Sequence, residues 1–389
     1  MKKYIIPFAL CSGILLPAVQ VQAQKQQEKP PSVGASFLQI NPDARTSGMG
    51  DAPTGVEPDA NALFHNAAKI VFAGDWGVSA SYSPWMWELN PGSSNTALFY
   101  LAGFKNFGEK EGIGVSMKYF HHGEVTFRDD NGAMMQQYKP KEFAIDASYA
   151  RKLSNHLALA ISLRYIRSDL GSGTFNGLQQ KPAQAGAGDI GLYYQSHANH
   201  IDFNNRYSWG VSFTNIGNKL KYTDDAQRKT FLPMNLRIGG GYSFVNTTDH
   251  MFTLAAEVNK LLVPTPPRYV EDINGVPTNE IAEGKDPDRG IAEALFSSLW
   301  DAPDGFREEI REFTASGGLE YAYQHQFFVR AGYFREHPNK GHRQHFAAGI
   351  GARIKTIQFD LAYLMPTDNS QFRRKTLKFS LLYTLSPEK

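Results

Sequence analysis

Residues that could carry out chemistry are few in this sequence, and they are scattered. His121 and His122 form the only adjacent histidine pair, and with the nearby Glu124 they could ligate a metal ion. Residues 129–132 (Asp-Asp-Asn-Gly) resemble the start of a calcium loop but lack the later glutamate at the required spacing. Because Asn-Gly and Asp-Gly also mark tight hairpin turns, we interpret this run as a turn. The sequence therefore predicts no metal site and no cofactor.

Motifs of covalent and phosphate chemistry do not occur either. The sequence contains no Gly-x-Ser-x-Gly elbow and no His-Glu-x-x-His metal helix. Its glycine pairs and triplet, at 112–114, 186–188 and 239–241, lie inside strand-like runs and not at a strand–helix junction, so they do not predict phosphate loops. We therefore expect no enzymatic activity. Small residues on one face of a strand instead leave room for another segment to pack there.

The elements that dominate the chain are strands. From residue 76 onward, apolar residues alternate with polar or small ones, as in residues 157–166 and 377–385, and successive side chains of a strand face opposite sides. The alternation predicts an all-β, 14-stranded antiparallel transmembrane β-barrel over residues 76–386. Its strands are expected to start near Trp76, Ala97, Ile113, Phe143, Leu157, Ala187, Tyr207, Leu236, His250, Thr314, Phe327, Phe346, Ile357 and Leu377.

The connections between these strands support a barrel over a soluble sandwich. Counted from the first strand, the even-numbered connections are mostly short and the odd-numbered ones mostly long. Bacterial outer-membrane barrels have short periplasmic turns and long extracellular loops. Aromatic residues also cluster near the predicted strand ends, as they do at membrane interfaces. A mean hydropathy of −0.39 is compatible with this interpretation, because the lumen face of such strands is polar.

The start of the chain predicts export. Residues 1–23 have a charged beginning, a short apolar run and a Val-Gln-Ala end, which is typical of a cleaved signal peptide. Cys11, the only cysteine, lies inside it, so the mature chain can form no disulfide. Residues 24–33 are polar and contain prolines, and we expect a flexible lead. The formal net charge of +2 gives no indication of a nucleic-acid partner.

Residues 34–75, which we call the N-terminal segment, follow neither a helical nor a strand period. Glycines and prolines interrupt the segment every few residues, yet it contains apolar side chains that a solvated linker does not need. Irregular backbone needs partners for its polar groups, which an enclosing protein can provide. We therefore expect this segment to fill the barrel lumen, with Phe37, Leu38, Ile40, Asn41, Pro42, Asp43, Arg45 and Met49 as its anchoring residues.

The longest connection, residues 260–313, is expected to be extracellular and to contain short helices. Ile291, Leu295 and Leu299 recur at four-residue spacing, and Phe306, Ile310 and Phe313 repeat a helical spacing. Two interpretations remain open: the apolar faces pack on other loops, or they bind a partner protein. Aromatic residues dominate many interfaces. The candidate partner-binding residues are therefore Leu295, Phe296, Leu299 and Trp300 here, and Trp85, Met86 and Trp87 in the first long loop.

A family resemblance rests on the N-terminal segment. Residues 37–45 (FLQINPDAR), 48–51 (GMGD), 61–66 (NALFHN) and 82–85 (YSPW) resemble the opening of the PorV family, within the fatty-acid-transporter-like superfamily of outer-membrane barrels. The likeness extends over essentially the whole mature chain. It implies an integral protein of the outer membrane of a Gram-negative, Bacteroidota-like bacterium. It also implies the shuttle component of the type IX secretion system.

The resemblance also implies partners. Members of the family bind secreted proteins through a C-terminal signal domain, take them from a large translocon barrel and present them to a sortase-like attachment complex at the cell surface. Outer-membrane lipid and lipopolysaccharide surround the barrel. The basic residues of the last two long loops could contact lipopolysaccharide phosphates or be solvated charges; they are Arg335, Lys340, Arg343, Arg373, Arg374 and Lys375. Two alternatives remain open: a transporter of hydrophobic small molecules and a lipopolysaccharide deacylase. Lumen-facing charges argue against the transporter, and the lack of a nucleophile with a base in reach argues against the deacylase.

Overall fold

Fourteen antiparallel strands close into a barrel in the computed structural model, which describes residues 28–84, 96–128, 134–175, 178–196, 205–225, 229–245, 249–367 and 375–385. Each strand pairs with its neighbours in sequence, and the first pairs with the last, with Trp76 opposite Leu385 and Tyr82 opposite Phe379. The predicted strand count and fold class are confirmed. The strands are β1 (Trp76–Pro84), β2 (Thr96–Phe107), β3 (Glu111–His122), β4 (Lys141–Lys152), β5 (Leu157–Asp169), β6 (Ala183–Gln195), β7 (Arg206–Gly217), β8 (Asn235–Val245), β9 (His250–Leu261), β10 (Phe313–Tyr323), β11 (Phe327–Arg335), β12 (Gln344–Ile354), β13 (Ile357–Pro366) and β14 (Thr376–Leu385).

Side-chain alternation separates two faces of the barrel wall. In β5, Leu163 is 72% exposed while its neighbour Arg164 is 5% exposed, and the same pattern continues along the strand. Along β5 the exposed residues are apolar, and the buried ones are polar, charged or small apart from Ile166. An apolar outer wall suits a lipid environment, and a polar inner wall suits a filled or hydrated lumen. No helix in the described ranges is long and apolar enough to cross a membrane.

Loop lengths differ between the two rims of the barrel. On one rim the connections run from two to ten residues, the longest being 196–205. On the other rim they run from eight residues to the 51 residues between Leu261 and Phe313. The first strand starts at the short-turn rim, as expected for a barrel with periplasmic turns. The long-loop rim is therefore the one that we expect to be extracellular.

The N-terminal segment consists of single helical turns joined by extended residues. Its turns are 3₁₀ helices at Ser36–Gln39, Pro53–Gly55 and Ala67–Phe72 and the short helices α1 (Ala44–Gly48) and α2 (Ala62–His65). Asp43 caps α1 by accepting a hydrogen bond from the Thr46 backbone N–H, at 2.8 Å. Asn66 caps the last turn in the same way through the Ala68 N–H. Local side-chain caps thus replace the hydrogen bonds that longer elements would provide.

The long connection at residues 262–312, which we call the arm, contains more structure than its spacing predicted. A two-stranded hairpin, Arg268–Glu271 with Pro277–Glu283, precedes helices α3 (Ile291–Ser297) and α4 (Phe306–Arg311). The helical spacing predicted that the second helix reaches Phe313, but α4 ends at Arg311 and Phe313 is the first residue of β10. Leu299 and Trp300 lie in the turn that follows α3. Smaller hairpins occur in two other long connections, Val125–Arg128 with Met134–Tyr138 and Gly173–Phe175 with Leu178–Gln180.

Candidate functional site

The N-terminal segment lies against the inner wall of the barrel. Its turns contact strands around most of the circumference: α1 touches β11 to β14, the turn at Pro53–Gly55 touches β7 to β9, and the turn at Ala67–Phe72 touches β2 to β6. All eight predicted anchoring residues pack there: Phe37, Leu38, Asn41, Pro42, Asp43, Arg45 and Met49 are buried, and Ile40 is half-buried. The sequence could single out the apolar ones because they lie in a segment without a period, and the others because they belong to the family-like run 37–45.

Arg45 is the centre of a buried charge network. Its guanidinium makes two parallel hydrogen bonds to Glu320 of β10, at 3.1 and 2.9 Å, and both side chains are only 1% exposed. Glu320 also accepts from Arg330 at 2.6 Å, and Arg330 donates to Asp360 at 2.7 Å. Each buried charge therefore has an opposite partner, as burial requires. Sequence reasoning missed Glu320 and Arg330, although both occupy inward positions of alternating strands.

Further polar contacts attach the segment along its length. Lys378 donates to the Asn41 carbonyl at 2.6 Å and to the Ser47 hydroxyl at 2.7 Å. Asn66 donates to the Leu192 carbonyl at 3.0 Å. The Thr54 hydroxyl donates to Glu257 at 2.7 Å. These contacts provide the partners that irregular enclosed backbone and side chains need.

Two glycines of the barrel wall allow the segment to approach its backbone. A Cβ atom added at Gly332 of β11 would lie 2.1 Å from the Gly50 nitrogen, and one added at Gly318 of β10 would lie 2.4 Å from the Met49 carbonyl oxygen. Real side chains cannot occupy such positions. The small residues that the sequence places on inward faces are thus matched to the backbone of the N-terminal segment at these points.

Asp43 and His65 form a buried acid–base pair on the side of the N-terminal segment that faces the long loops. The His65 Nε2 atom lies 3.2 Å from Asp43 Oδ2. Burial lowers the pKa of His65, so the neutral ring donates from Nε2, and Nδ1 has no hydrogen-bond partner among the described residues. Burial raises the pKa of Asp43, but hydrogen bonds from His65 and Thr46 bring it below its usual value. In the described part of the chain, no three His, Cys, Asp or Glu residues are arranged to hold a metal ion.

A cavity of about 270 Å³ separates the N-terminal segment from the long loops. Its floor includes Leu38, Ile40 and His65, and Pro31 lies at its edge. Five basic side chains also line the cavity, and most of them are already paired with carboxylates. They are Arg164, Arg237, Lys340, Arg343 and Lys378.

The roof of this cavity consists of helix α4 of the arm and the loop at 336–343, and ion pairs hold the two together. Lys340 pairs with Glu308 and Glu312 of the arm, and Lys260 of β9 pairs with Glu309 at 2.9 Å and with Glu312. Glu28, the first described residue, pairs with Arg311 of α4. Of the predicted flexible lead at 24–33, Glu28 and Lys29 are thus in contact with the roof, and residues 24–27 lie outside the described ranges.

The arm has a buried underside and an exposed apolar face. Ala294 is buried, and Ile291 and Leu295 pack with it against Phe231 and Met234. Phe296 and Trp300 are 64% and 61% exposed, and Leu299 is also exposed. The packing interpretation therefore holds for Ile291 and for Leu295, which was a candidate partner-binding residue. Partner binding by Phe296, Leu299 and Trp300 stays a prediction. The other candidate partner-binding residues, Trp85, Met86 and Trp87, lie outside the described residues.

A family assignment follows from the sequence. The model of the type IX secretion system protein PorV matches residues 22–268, which is more than half of the chain. The chain belongs to the PorV family. With its closed barrel and apolar outer wall, this PorV-family chain is an integral protein of the Gram-negative outer membrane and a component of the type IX secretion system. The predicted family, fold and location are confirmed.

Solved barrels with lower similarity to this PorV-family chain are also known. The toluene transporter TbuX of Ralstonia pickettii is 12% identical, with 88% of this chain and 97% of that chain covered and a TM-score of 0.49. A Pseudomonas aeruginosa FadL homologue is 11% identical, with 88% and 98% covered and a TM-score of 0.47. LpxR from Salmonella typhimurium is 7% identical, with 79% and 100% covered and a TM-score of 0.34. No curated protein matches the chain. Identities of this size carry no information about function.

Proposed function

We propose that this PorV-family protein binds secreted proteins through their C-terminal signal domains at its extracellular surface. It then carries them from the translocon barrel to the sortase-like attachment complex. The observation that carries the proposal is the exposed apolar face of the arm, formed by Phe296, Leu299 and Trp300. Exposed aromatic side chains on a structured support are typical of protein-binding surfaces.

The contacts of the N-terminal segment with the inner wall support binding at the surface over transport through the barrel. A conduit for hydrophobic molecules would need an apolar path, whereas the N-terminal segment is held across the lumen by the buried charges of Arg45, Glu320 and Lys378. The cavity of about 270 Å³ above it favours a small-molecule site as the second candidate, with a lining in which charged side chains such as Lys378 lie beside apolar ones such as Leu38 and Phe64. Surface recognition of a protein therefore fits the described residues better.

The arm also has the support that a recognition surface needs. Ile291, Ala294 and Leu295 anchor α3 to the loop before β8, and Arg289 pairs with Asp301 at 3.0 Å within the arm. Ordering a surface before binding reduces the entropy that binding must overcome. The apolar face can thus meet a partner without folding first. Trp85, Met86 and Trp87 of the first loop are proposed to extend the same surface.

The test is a pull-down from the native outer membrane in gentle detergent with the tagged full chain. We expect full-length secreted proteins that keep their C-terminal signal domains, together with a very large barrel protein or a sortase-like protease. Replacing Phe296 and Trp300 with alanine should reduce cargo recovery at least about tenfold, because truncating central aromatic residues costs about 2 kcal/mol or more. Replacing Trp85 and Trp87 with alanine tests their proposed part in the surface by the same measurement of cargo recovery.

The matched control is Ile354→Ala. Ile354 is 76% exposed but lies at the short turn on the periplasmic rim. This variant should recover as much cargo as the wild-type protein. Recovery of the barrel alone, or with bound lipid or fatty acid only, would count against the shuttle and favour tests of hydrophobic uptake.

A further inference from the structure

The exposed side of the arm combines apolar and acidic residues. Its hairpin tip presents Ile273 fully exposed, with Val276 beside it, and α4 exposes Phe306 and Ile310. These add to Phe296, Leu299 and Trp300 on and after α3. Several apolar side chains of one connection thus point away from the barrel.

The exposed apolar residues belong to an arm that ion pairs hold in place. Arg268 of the hairpin lies 3.0 Å from Asp304 before α4, which ties the hairpin to the helices. Asp288 lies 2.9 Å from Lys219 of the neighbouring long loop. Lys260 of the barrel wall pairs with Glu309 of α4 at 2.9 Å. The apolar face is therefore presented by an arm that is fixed to the barrel at several points.

Charge on the arm has one predominant sign. Residues 262–312 contain twelve acidic and five basic residues, while the whole chain has a formal net charge of +2. Buried acids such as Glu308 and Glu312 are neutralised by Lys340 and Lys260. The exposed acids of the arm outnumber its exposed bases, Lys285 and Arg307. They are Glu271, Asp272, Glu280, Glu283, Asp286, Asp288 and Glu293.

Acidic and apolar groups lie side by side on α3. Glu293 and Phe296 are three residues apart, and residues at this spacing are neighbours on a helix surface. Lys285 lies over the ring of Trp300, with its Nζ atom 5.8 Å from the ring centroid, so this aromatic face already contacts a cation. A lysine or arginine of a partner could make the same kind of contact and an ion pair with Glu293.

We infer that the arm binds a segment of the cargo that contains both basic and apolar residues, and this inference rests on the proposed shuttle function. The apolar part of the segment covers Phe296 and Trp300, and its lysine or arginine side chains face Glu280 and Glu293. A second copy of this chain would bring two acidic arms together, which is unfavourable. The phosphates of lipopolysaccharide have the same sign of charge as the arm and are unfavourable occupants for the same reason.

The experiment measures binding of full-length cargo, with its C-terminal signal domain intact, to the immobilised full chain in detergent. Affinity and association rate are determined at about 50 mM and about 500 mM salt, a range over which surface charges become largely screened. The variant carries Glu280→Lys and Glu293→Lys. The control carries Glu109→Lys, which replaces another exposed acid, in the short turn on the opposite rim.

We expect the double variant to bind about tenfold more weakly at low salt, mainly through slower association, and the difference to shrink at high salt. The control should match the wild-type protein. Tight binding that is unchanged by the double substitution would overturn the basic-segment inference and leave the shuttle intact. Equal weakening by Glu109→Lys would overturn it too, because the effect would then depend on net charge alone. Failure of the wild-type protein to bind any cargo would overturn the proposed function itself.

Discussion

Arg45 and Glu320 form a two-point ion pair although 275 residues separate them in the chain. The pair joins the N-terminal segment to strand β10, and both side chains are buried. Glu57 and Asp59 lie within 3.8 Å of the same guanidinium. Together with Glu320, Arg45 therefore faces the negative charges of three carboxylates. The position of the segment therefore depends strongly on this one side chain.

Replacing Arg45 with methionine should destabilise the protein by about 3–5 kcal/mol, because it leaves buried carboxylates without their partner. Unfolding in detergent, followed by the heat-dependent shift on gels, measures the loss. The control is Arg353→Met, whose guanidinium lies 3.6 Å from Glu57 and is partly exposed. Pairs of that kind contribute about 1 kcal/mol or less. Equal losses in the two variants would contradict the central role of Arg45.

Replacing Gly332 with valine should displace the N-terminal segment, because the added Cβ would lie 2.1 Å from the Gly50 nitrogen. Overpacking of this kind costs about 1–3 kcal/mol. We expect faster proteolysis within residues 34–75 while the barrel keeps its strands. Gly186→Val is the control, because no atom lies within 4 Å of a Cβ at that exposed position. Unchanged proteolysis in the Gly332 variant would show that the close approach is unimportant.

The fold could be predicted from the sequence to a large extent, because alternation along a strand is a local property. The inward positions of Arg164 and Asp360 could be recognised from their apolar neighbours alone. The pairing of Arg45 with Glu320 could not, since nothing local indicates which inward acid faces which residue of the segment. The hairpin at 268–283 was missed because it is exposed on nearly all sides and therefore has no apolar face to alternate with a polar one.

Asp59 should make the stability of the protein depend on pH. Burial raises its pKa from 3.8 to about 6, although the charge of Arg45 opposes the shift. The folded protein therefore binds this proton more tightly than the unfolded chain does. The resulting stabilisation is fully present below about pH 4 and is lost as the pH rises to about 6.

Asp59→Asn should remove this dependence. Relative to the wild-type protein, the variant should gain up to about 3 kcal/mol between pH 4 and pH 7, at about 1.4 kcal/mol per pKa unit. Unfolding in detergent at pH 4, 5, 6 and 7 measures the difference between the two proteins. Parallel curves over the whole range would show that the Asp59 pKa is not raised in the folded protein.

Lys340 should control the stability of the roof without affecting the barrel. It pairs with Glu308 and Glu312, and its Nζ atom also lies 3.4 Å from the Lys29 carbonyl. In Lys340→Met, Glu308 remains buried without a basic partner, whereas Glu312 keeps Lys260. We expect faster hydrogen exchange in residues 28–33 and 301–312. Exchange in the strands should be unchanged, because the lost ion pairs stabilise the roof and not the barrel.

Two further variants make the Lys340 prediction specific. Lys219→Met removes an ion pair with Asp288, which is 79% exposed, and it should change exchange little. Adding Glu308→Gln to Lys340→Met should restore much of the protection, because it removes the buried charge that the first substitution leaves unpaired. If the second substitution loosened the roof further, the cost would come from lost packing of the lysine chain and not from its charge.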